Sequence, residues 1–487
     1  MTLRLEKNDH KKLQTMFKNT LPNKEYELET RFGKFYTFNG KTTFSPGIPL
    51  NTFKDLLSHF INDSSYEQVP VNDSLCILYQ VKNPNGKNEY TQNTKCANGI
   101  DTIKMLCKDE LYEGEGITHY TKEKRIDLLD IDYFDFRTEV SAEKSVSIDT
   151  ETLKKSLSRN KMYRYKKRYS FITLSKNFRI DMTITKNAPD KQDRKNEIYG
   201  FKNFASSKLM SKEEVYEIEI EYLNEEKEVK KKTKKSTSSK SETDKESNEK
   251  INLLFKDYFD NVHLILKYIQ NTEIVISKNE QEKIFQEYVK NFMPEMSLTL
   301  QRNKRNYFLG VDVTSIKLEN IIPLEEADIT IKNIRNRVPE DFSVIEKADG
   351  ERHLLYISND GECYMLNQNL DFKKTNIIFQ DYKSCLLDGE YIDEETKLLI
   401  FDALFINGED IRGEPLMRTP EERKNNIGNK SRDEQIKRLF VEYEKIKKNL
   451  FKKNSKMISL AMKRHRYSFN IDPLILAREL WENREKE

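Results

Sequence analysis

Polar and apolar positions along this chain follow two rhythms. Between residues 24 and 223 the alternation has period two, the spacing that sends successive side chains to opposite faces of a strand. It is plainest over Tyr26–Phe32, Asp135–Glu143, Tyr163–Thr173, Phe178–Thr185 and Val215–Tyr222. From Ile251 to Gln270 the rhythm turns helical, with Leu254, Tyr258, Val262, Ile265 and Ile269 on one stripe, and a shorter helix is predicted over Gln281–Phe292. Beyond about residue 300, short strands return at Phe342–Glu346, His353–Ser358, Leu386–Tyr391 and Lys397–Phe405, followed by a charged, helical tail. No internal repeat is visible.

One stretch breaks the pattern. Residues Glu225–Lys250 read EEKEVKKKTKKSTSSKSETDKESNEK, with Val229 the only aliphatic side chain. Such a segment has too little apolar surface to offset its ordering entropy and is expected to be a disordered loop or linker. Its lysines suit RNA phosphates, although a solvated linker is the simpler reading. The predicted organisation is a strand-rich domain over 1–223, a charged linker over 224–250, a helical connector packing on the first domain over 251–295, and a second domain over 296–487.

Composition narrows the class. A chain of 487 residues suggests two or three domains, and 36% hydrophobic against 34% charged residues argues against a membrane protein. The best apolar run, Leu398–Ile406, is short and carries Asp402, and the N-terminus lacks the apolar core of a secretion signal. Five cysteines without CxxC spacing are expected to be reduced thiols in a cytosolic or nuclear compartment, with no zinc site. The net charge of +3 arises from 84 basic and 81 acidic residues, so local blocks matter more than the sum.

The charged positions of the strands are ordered. In YELETRF, Glu27, Glu29 and Arg31 share one face; in YEIEIEY, Glu217, Glu219 and Glu221 share one face while Ile218 and Ile220 take the other. Carboxylates that close repel one another unless a cation sits among them, and hard oxygen ligands suit Mg2+ or Mn2+. Other strands carry the opposite charge: Arg164, Lys166 and Arg168 alternate, Arg179 alternates with Asp181, and Arg137 shares a face with Glu143. Closed into a barrel, such strands would set acidic ligands beside a cationic wall suited to a polyphosphate. For any single strand, the alternative is the wet face of an antiparallel sheet.

Taken in order, the ExExR, RxKxR, RxD and ExExE strands resemble the triphosphate tunnel metalloenzymes, especially the RNA 5′-triphosphatases of fungi and large DNA viruses. The resemblance implies an antiparallel eight-stranded β tunnel. By it, Glu27, Glu29, Glu219 and Glu221, with Glu217, would bind the divalent metal. Arg31, Arg137, Arg164, Lys166, Arg168 and Arg179 would hold the triphosphate, and Glu143 would position the attacking water.

A second constellation lies in VIEKADGERHLLYI, where Lys347, Asp349, Gly350 and Arg352 fit KxDGxR. A lysine leaving a strand into an Asp-Gly turn can act as a nucleophile on an α-phosphate if neighbouring cations lower its pKa, with Arg352 pointing toward the nucleotide. LLDGEY, with Glu390, and LIFDALFI, with Phe401, follow. Together these resemble the covalent nucleotidyltransferases, the mRNA guanylyltransferases and polynucleotide ligases. The resemblance implies attachment of the nucleotide at Lys347, contacts from Asp349, Arg352 and Glu390, and stacking of the base on Phe401. The family's later acidic-glycine and lysine-rich strands are missing before Glu487; NIDPLIL at 470–476 has Pro473 in place of the glycine.

The fold class expected is therefore α+β: the tunnel, then a partial ATP-grasp-like nucleotidyltransferase domain. The function expected is mRNA 5′ capping, with Mg2+ or Mn2+ as cofactor, GTP as co-substrate and 5′-triphosphate RNA as partner. A cap methyltransferase domain or subunit is a further expected partner, no membrane is involved, and the viral resemblance implies a host-cytoplasmic or virion location. A polynucleotide ligase using ATP, or an RNA-end-binding scaffold with an inactive second site, remain the alternatives.

Overall fold

The period-two segments close on themselves. In the computed structural model, β1 (Tyr26–Phe38), β3 (Tyr66–Lys82), β4 (Tyr90–Asn98), β5 (Ile117–Lys122), β7 (Phe136–Ser145), β8 (Met162–Thr173), β9 (Phe178–Ala188) and β10 (Val215–Tyr222) pair antiparallel in the order β1-β10-β9-β8-β3-β4-β5-β7. A further β1–β7 pairing, with Glu29 opposite Glu139 and Arg31 opposite Arg137, completes an eight-stranded ring. Two more strands, β2 (Lys41–Pro46) on β1 and β6 (Asp127–Ile131) on β7, lie outside it. The structure describes residues 3–21, 25–82, 90–107, 116–122, 125–223, 240–296, 304–311, 315–317, 342–425, 431–450, 458–468 and 473–483.

The barrel is polar inside and apolar outside. Leu28, Phe32, Ile180, Met182, Ile218 and Ile220 are buried on the outer face, where helices Lys7–Thr20 and Lys240–Gln270 bring Phe17, Phe255 and Tyr258. The Tyr258 hydroxyl lies 2.8 Å from Thr30 Oγ1 and 3.1 Å from Thr138 Oγ1, themselves 2.9 Å apart. This buried hydroxyl triangle spans the β1–β7 seam, so the helix fastens the closure of the ring.

The chain divides into two units, Met1–Gln270 and Asn271–Glu487. In the second, β12 (Glu351–Ile357), β13 (Glu362–Leu366), β14 (Phe372–Ile378), β15 (Cys385–Ile392), β16 (Lys397–Ile406) and β17 (Glu409–Asp410) form a sheet in the order β14-β13-β12-β15-β16-β17. The strand β18 (Ser459–Met462) adds to β16 in parallel, and a separate pair joins β11 (Ser343–Val344) to β19 (Arg466–Tyr467). Alternation on β12 sends Leu354 and Tyr356 to one core with Phe285, Tyr288 and Phe292, and Leu355 and Ile357 to the other with Ile436, Leu439 and Tyr443.

Three expectations need correction. Helix Lys278–Phe292, expected in a connector over 251–295 on the tunnel, supplies a core of the second unit instead, because its apolar stripe matches that sheet face. The expected linker over 224–250 is helical from Lys240 on, as the upstream continuation of the Lys240–Gln270 helix; residues 224–239 lie outside the described residues. Cys76 and Cys96, expected as thiols, form a disulfide, since β3 and β4 set them directly opposite with Cα atoms 4.2 Å apart. Cys363 and Cys385 are free and buried. Among the described residues no helix is long and apolar enough to cross a membrane.

Candidate active site

The ring encloses a cavity of about 550 Å³. Its lining divides by charge. β1, β7, β8, β9 and β10 contribute Glu27, Glu29, Arg31, Glu143, Arg164, Lys166, Arg168, Arg179, Glu217, Glu219 and Glu221, whereas β3, β4 and β5 contribute Cys76, Leu78, Gln92, Thr94 and Tyr120. The first and last acidic strands are direct neighbours, with Glu29 opposite Glu221 and Arg31 opposite Glu219. Glu27, Glu29, Glu217, Glu219 and Glu221 thus line one wall of a common lumen.

Glu29, Glu139, Asp181, Glu217 and Glu221 are each answered by a cation. Arg31 lies 3.0 Å from Glu29 and 2.8 Å from Glu139; Arg164 lies 2.6 Å from Glu217, and Arg179 2.5 Å from Glu221. Arg168 reaches Asp181 at 3.0 Å and Glu219 at 3.9 Å. The balance is incomplete at two positions. Burial, then Glu29 and Glu217, push the Glu219 carboxyl up to about 7. Burial, then Arg164 and Arg168, push Lys166 down to about 8. At Arg31 burial is outweighed by Glu29, Glu219, Glu139 and Glu217, so its guanidinium holds its proton more firmly than usual.

Do these residues fit a divalent cation? Among the described residues no three His, Cys, Asp or Glu side chains converge closely enough to ligate one in this arrangement. The donor chemistry nevertheless fits: hard carboxylate oxygens are crowded until burial and like charge raise Glu219, the strain that a bound cation relieves.

Two buried carboxylates behind these cations carry no site role in the sequence pattern. Asp181, 1% exposed, accepts Nε of Arg179 at 2.9 Å, pairs with Arg168, and accepts the Ser170 hydroxyl at 2.6 Å. Its signal was its place two residues from Arg179. Glu139, buried between Arg31 and Arg125 (2.8 and 3.1 Å), follows Arg137 by two residues on the face shared with Glu143. Arg137, in contrast, is not among the cavity-lining residues. Asp130 on β6 holds it by two hydrogen bonds of 2.5 and 2.8 Å, and its guanidinium lies over the Phe44 ring at 4.9 Å. The assignment of Arg137 to the triphosphate is corrected accordingly: β6, unseen in the sequence, supplies the competing carboxylate.

In the second unit the KxDGxR turn sits at the start of β12. Lys347 is 85% exposed in its side chain and ion-paired to Asp349 at 3.0 Å. Asp349 and then Glu390 raise its pKa, the opposite of the lowering expected from neighbouring cations. Arg352 is turned to Asp388 by two hydrogen bonds, 3.0 and 2.5 Å, and to the carbonyl of Val311, so it does not supply that cation. Gly350 is required sterically: a Cβ there would meet the Tyr391 carbonyl at 2.6 Å and Glu390 Cγ at 2.9 Å. Its N–H donates to Glu390 Oε1 at 3.2 Å.

A further cation belongs to this group. Lys463, just after β18, donates to Glu390 Oε2 at 2.7 Å and lies 5.6 Å from the centroid of the Phe401 ring. His465 Nε2 lies 2.7 Å from the Phe401 carbonyl, and Arg432 pairs with Asp402 at 2.9 Å. Lys463 stands more than a hundred residues from the turn, so no local spacing could have linked the two. The segment after it forms β19 and helix Pro473–Asn483; residues 469–472 lie outside the described residues.

Residues 327–479 match the family described as mRNA capping enzyme, catalytic domain. This part of the chain is similar to the catalytic domain of mRNA capping enzymes. A probable mRNA-capping enzyme of Acanthamoeba polyphaga mimivirus is 31% identical over 255 residues, which is 52% of this chain and 16% of that protein. The match thus spans about a sixth of the length of this relative. Among solved structures, the RNA triphosphatase domain of a mimivirus capping enzyme is 18% identical, covering 52% of this chain and 100% of its own at a TM-score of 0.31. An RNA triphosphatase of S. pombe is 13% identical, covering 55% and 95%, at a TM-score of 0.33.

Proposed function

We propose that the first unit is a metal-dependent RNA 5′-triphosphatase and the second a guanylyltransferase-type unit, and that the chain serves mRNA 5′ capping in a viral infection. The observation that carries the reading is the facing of Glu29, Glu219 and Glu221 with Arg31, Arg164, Lys166, Arg168 and Arg179 inside one closed lumen. The cations would hold the triphosphate, and burial makes each phosphate contact stronger than it would be in water. Glu27, Glu29, Glu217, Glu219 and Glu221 would hold Mg2+ or Mn2+, which supplies charge stabilisation for the γ-phosphoryl group in flight. Glu143, beside Tyr120 at the edge of the charged wall, would orient the water. Water adds to the γ-phosphorus as the bond to the β-phosphate oxygen breaks, giving inorganic phosphate and a diphosphate end.

In the second unit Lys347 would attack the α-phosphate of GTP, releasing pyrophosphate, and then pass GMP to that diphosphate end. Having both steps on one chain raises the local concentration of the intermediate RNA end. The acidic surroundings of Lys347 mean that this site needs cations beyond Arg352, and Lys463 is one already at hand. A cap methyltransferase as a neighbouring domain or subunit, and action in the host cytoplasm or virion, complete the proposal.

The test is phosphate release from triphosphate-ended RNA with Mg2+ or Mn2+. The wild-type chain should release phosphate and Glu29→Gln should not; equal release by both would overturn the tunnel assignment. Incubation with labelled GTP or ATP separates capping from ligation, because a covalent adduct formed with ATP alone would favour a ligase.

A further inference from the structure

β1 outruns the barrel. Its first half pairs with β10 and β7, but from Gly33 to Phe38 it pairs with β2 alone. Gly33 marks the departure: a Cβ there would meet the Ser45 carbonyl at 2.2 Å, so the two strands cross tightly as the hairpin leaves the ring. The turn at Asn39-Gly40, with φ of 48° and 73°, closes it as a tight two-residue hairpin.

The hairpin's composition is unusual for an exposed edge. Residues 33–46 hold four aromatic residues, two lysines and no carboxylate. Phe38 at the tip is 77% exposed and Tyr36 55%. A bare aromatic edge strand invites aggregation unless something covers it. One face continues the lumen face of β1: register carries Glu27, Glu29 and Arg31 on to Phe35, whose ring packs 4.8 Å from that of Phe44. Arg137, directly opposite Arg31, lies over the same pair and is pinned there by Asp130. Along the strand, Arg31 to Phe35 is about 13 Å. This is the length scale of the first nucleotides behind a 5′ triphosphate.

We propose that the β1–β2 hairpin is a docking platform for the 5′-proximal nucleotides of single-stranded RNA whose triphosphate occupies the lumen. The proposal rests on the triphosphatase reading of that lumen. Aromatic faces bind bases without regard to sequence, and cations follow the phosphates. The ring pair Phe35–Phe44 with Arg137 takes the first base on the lumen-side face, and the RNA then turns over the tip, where Phe38 and Lys41, paired with each other on the opposite face of the ribbon, take the next nucleotide and its phosphate. The lack of carboxylates on the hairpin favours a polyanion over a protein partner. The platform would make RNA a better substrate than the bare triphosphate.

The experiment compares two substrates on the full chain, a triphosphate-ended oligoribonucleotide and inorganic tripolyphosphate, which has no base to stack. Phe38→Ala, whose side chain is exposed, and Phe44→Ala should each lower kcat/KM on RNA by about 5- to 100-fold, mostly through KM. Both should leave tripolyphosphate hydrolysis within twofold of wild type. Lys41→Ala should weaken RNA binding and reduce its salt dependence. Equal losses on both substrates would make the hairpin merely structural, and unchanged RNA kinetics would make it the seat of some other partner; either result overturns the proposal. A wild-type chain that hydrolyses neither substrate would instead refute the triphosphatase reading. Should Phe44→Ala fail to fold, Phe38→Ala carries the test alone.

Discussion

Asp181 is the point at which the cationic wall is held in shape, and replacing it with asparagine removes charge while keeping volume. Its two carboxylate oxygens serve three donors: Arg168, Arg179 and the Ser170 hydroxyl. Removing one partner of a fully buried ion pair costs about 3–5 kcal/mol. Here each guanidinium keeps a second carboxylate, Glu221 at 2.5 Å for Arg179 and Glu219 at 3.9 Å for Arg168, and both side chains are 27% exposed. The expected loss of stability is therefore smaller, about 2–3 kcal/mol, measurable by urea denaturation. The positive charge of the lumen is not lost, so triphosphate should still be attracted and KM should move less than threefold. Geometry is lost, and a displacement of about 1 Å in a positioning group can cost about 100-fold in rate. Asp181→Asn should therefore lower kcat for phosphate release by about 10- to 100-fold. Ser170→Ala, which leaves the carboxylate charge in place, should cost about 1 kcal/mol and little rate. A kcat within twofold of wild type in Asp181→Asn would refute a positioning role.

Other perturbations probe the rest. In metal-free protein, a Glu219 carboxyl raised from 4.5 to about 7 contributes stability that is complete below its unfolded value and is lost as pH rises through about 7. Thermal midpoints in chelator should fall from about pH 5 to 8 in the wild type and stay flatter in Glu219→Gln, while the same variant should lose stabilisation by Mn2+; identical profiles would refute the crowded-carboxylate account. Tyr258→Phe leaves Thr30 and Thr138 bonded to each other and should cost about 1 kcal/mol, whereas Tyr258→Ala should cost about 3–5 kcal/mol by chemical denaturation. Lys347→Ala should abolish any covalent GMP adduct seen by gel after incubation with labelled GTP, and an adduct that persists would place the nucleophile elsewhere.

The legible part of the barrel was its charged half. β1 and β7 to β10 announce themselves because lumen positions carry Glu, Arg or Lys against apolar outer positions, as in Glu217-Ile218-Glu219-Ile220. The neutral half was far harder to read: β3 presents Cys76 and Leu78 inward, β4 Gln92 and Thr94, so inside and outside differ little in polarity. Pro70 within β3 adds a register shift between Val69 and Asn72 that breaks the rhythm further. Site residues that act through partners, such as Asp181, Glu139 and Lys463, were visible as charges but not as contacts, because those contacts cross between strands. Arg137 was misplaced for the converse reason: its face was right, but Asp130 lies on a strand too short to be read.

The hydroxyl triangle around Tyr258 has a practical corollary for dissection of the protein. Cutting where the alternating strands stop, after residue 223, would yield a ring whose joint lacks its outer clasp and whose apolar back, from Phe17 to Ile220, stands uncovered. A fragment retaining everything through Gln270 keeps that clasp and is the one to express when the triphosphate chemistry is to be studied alone.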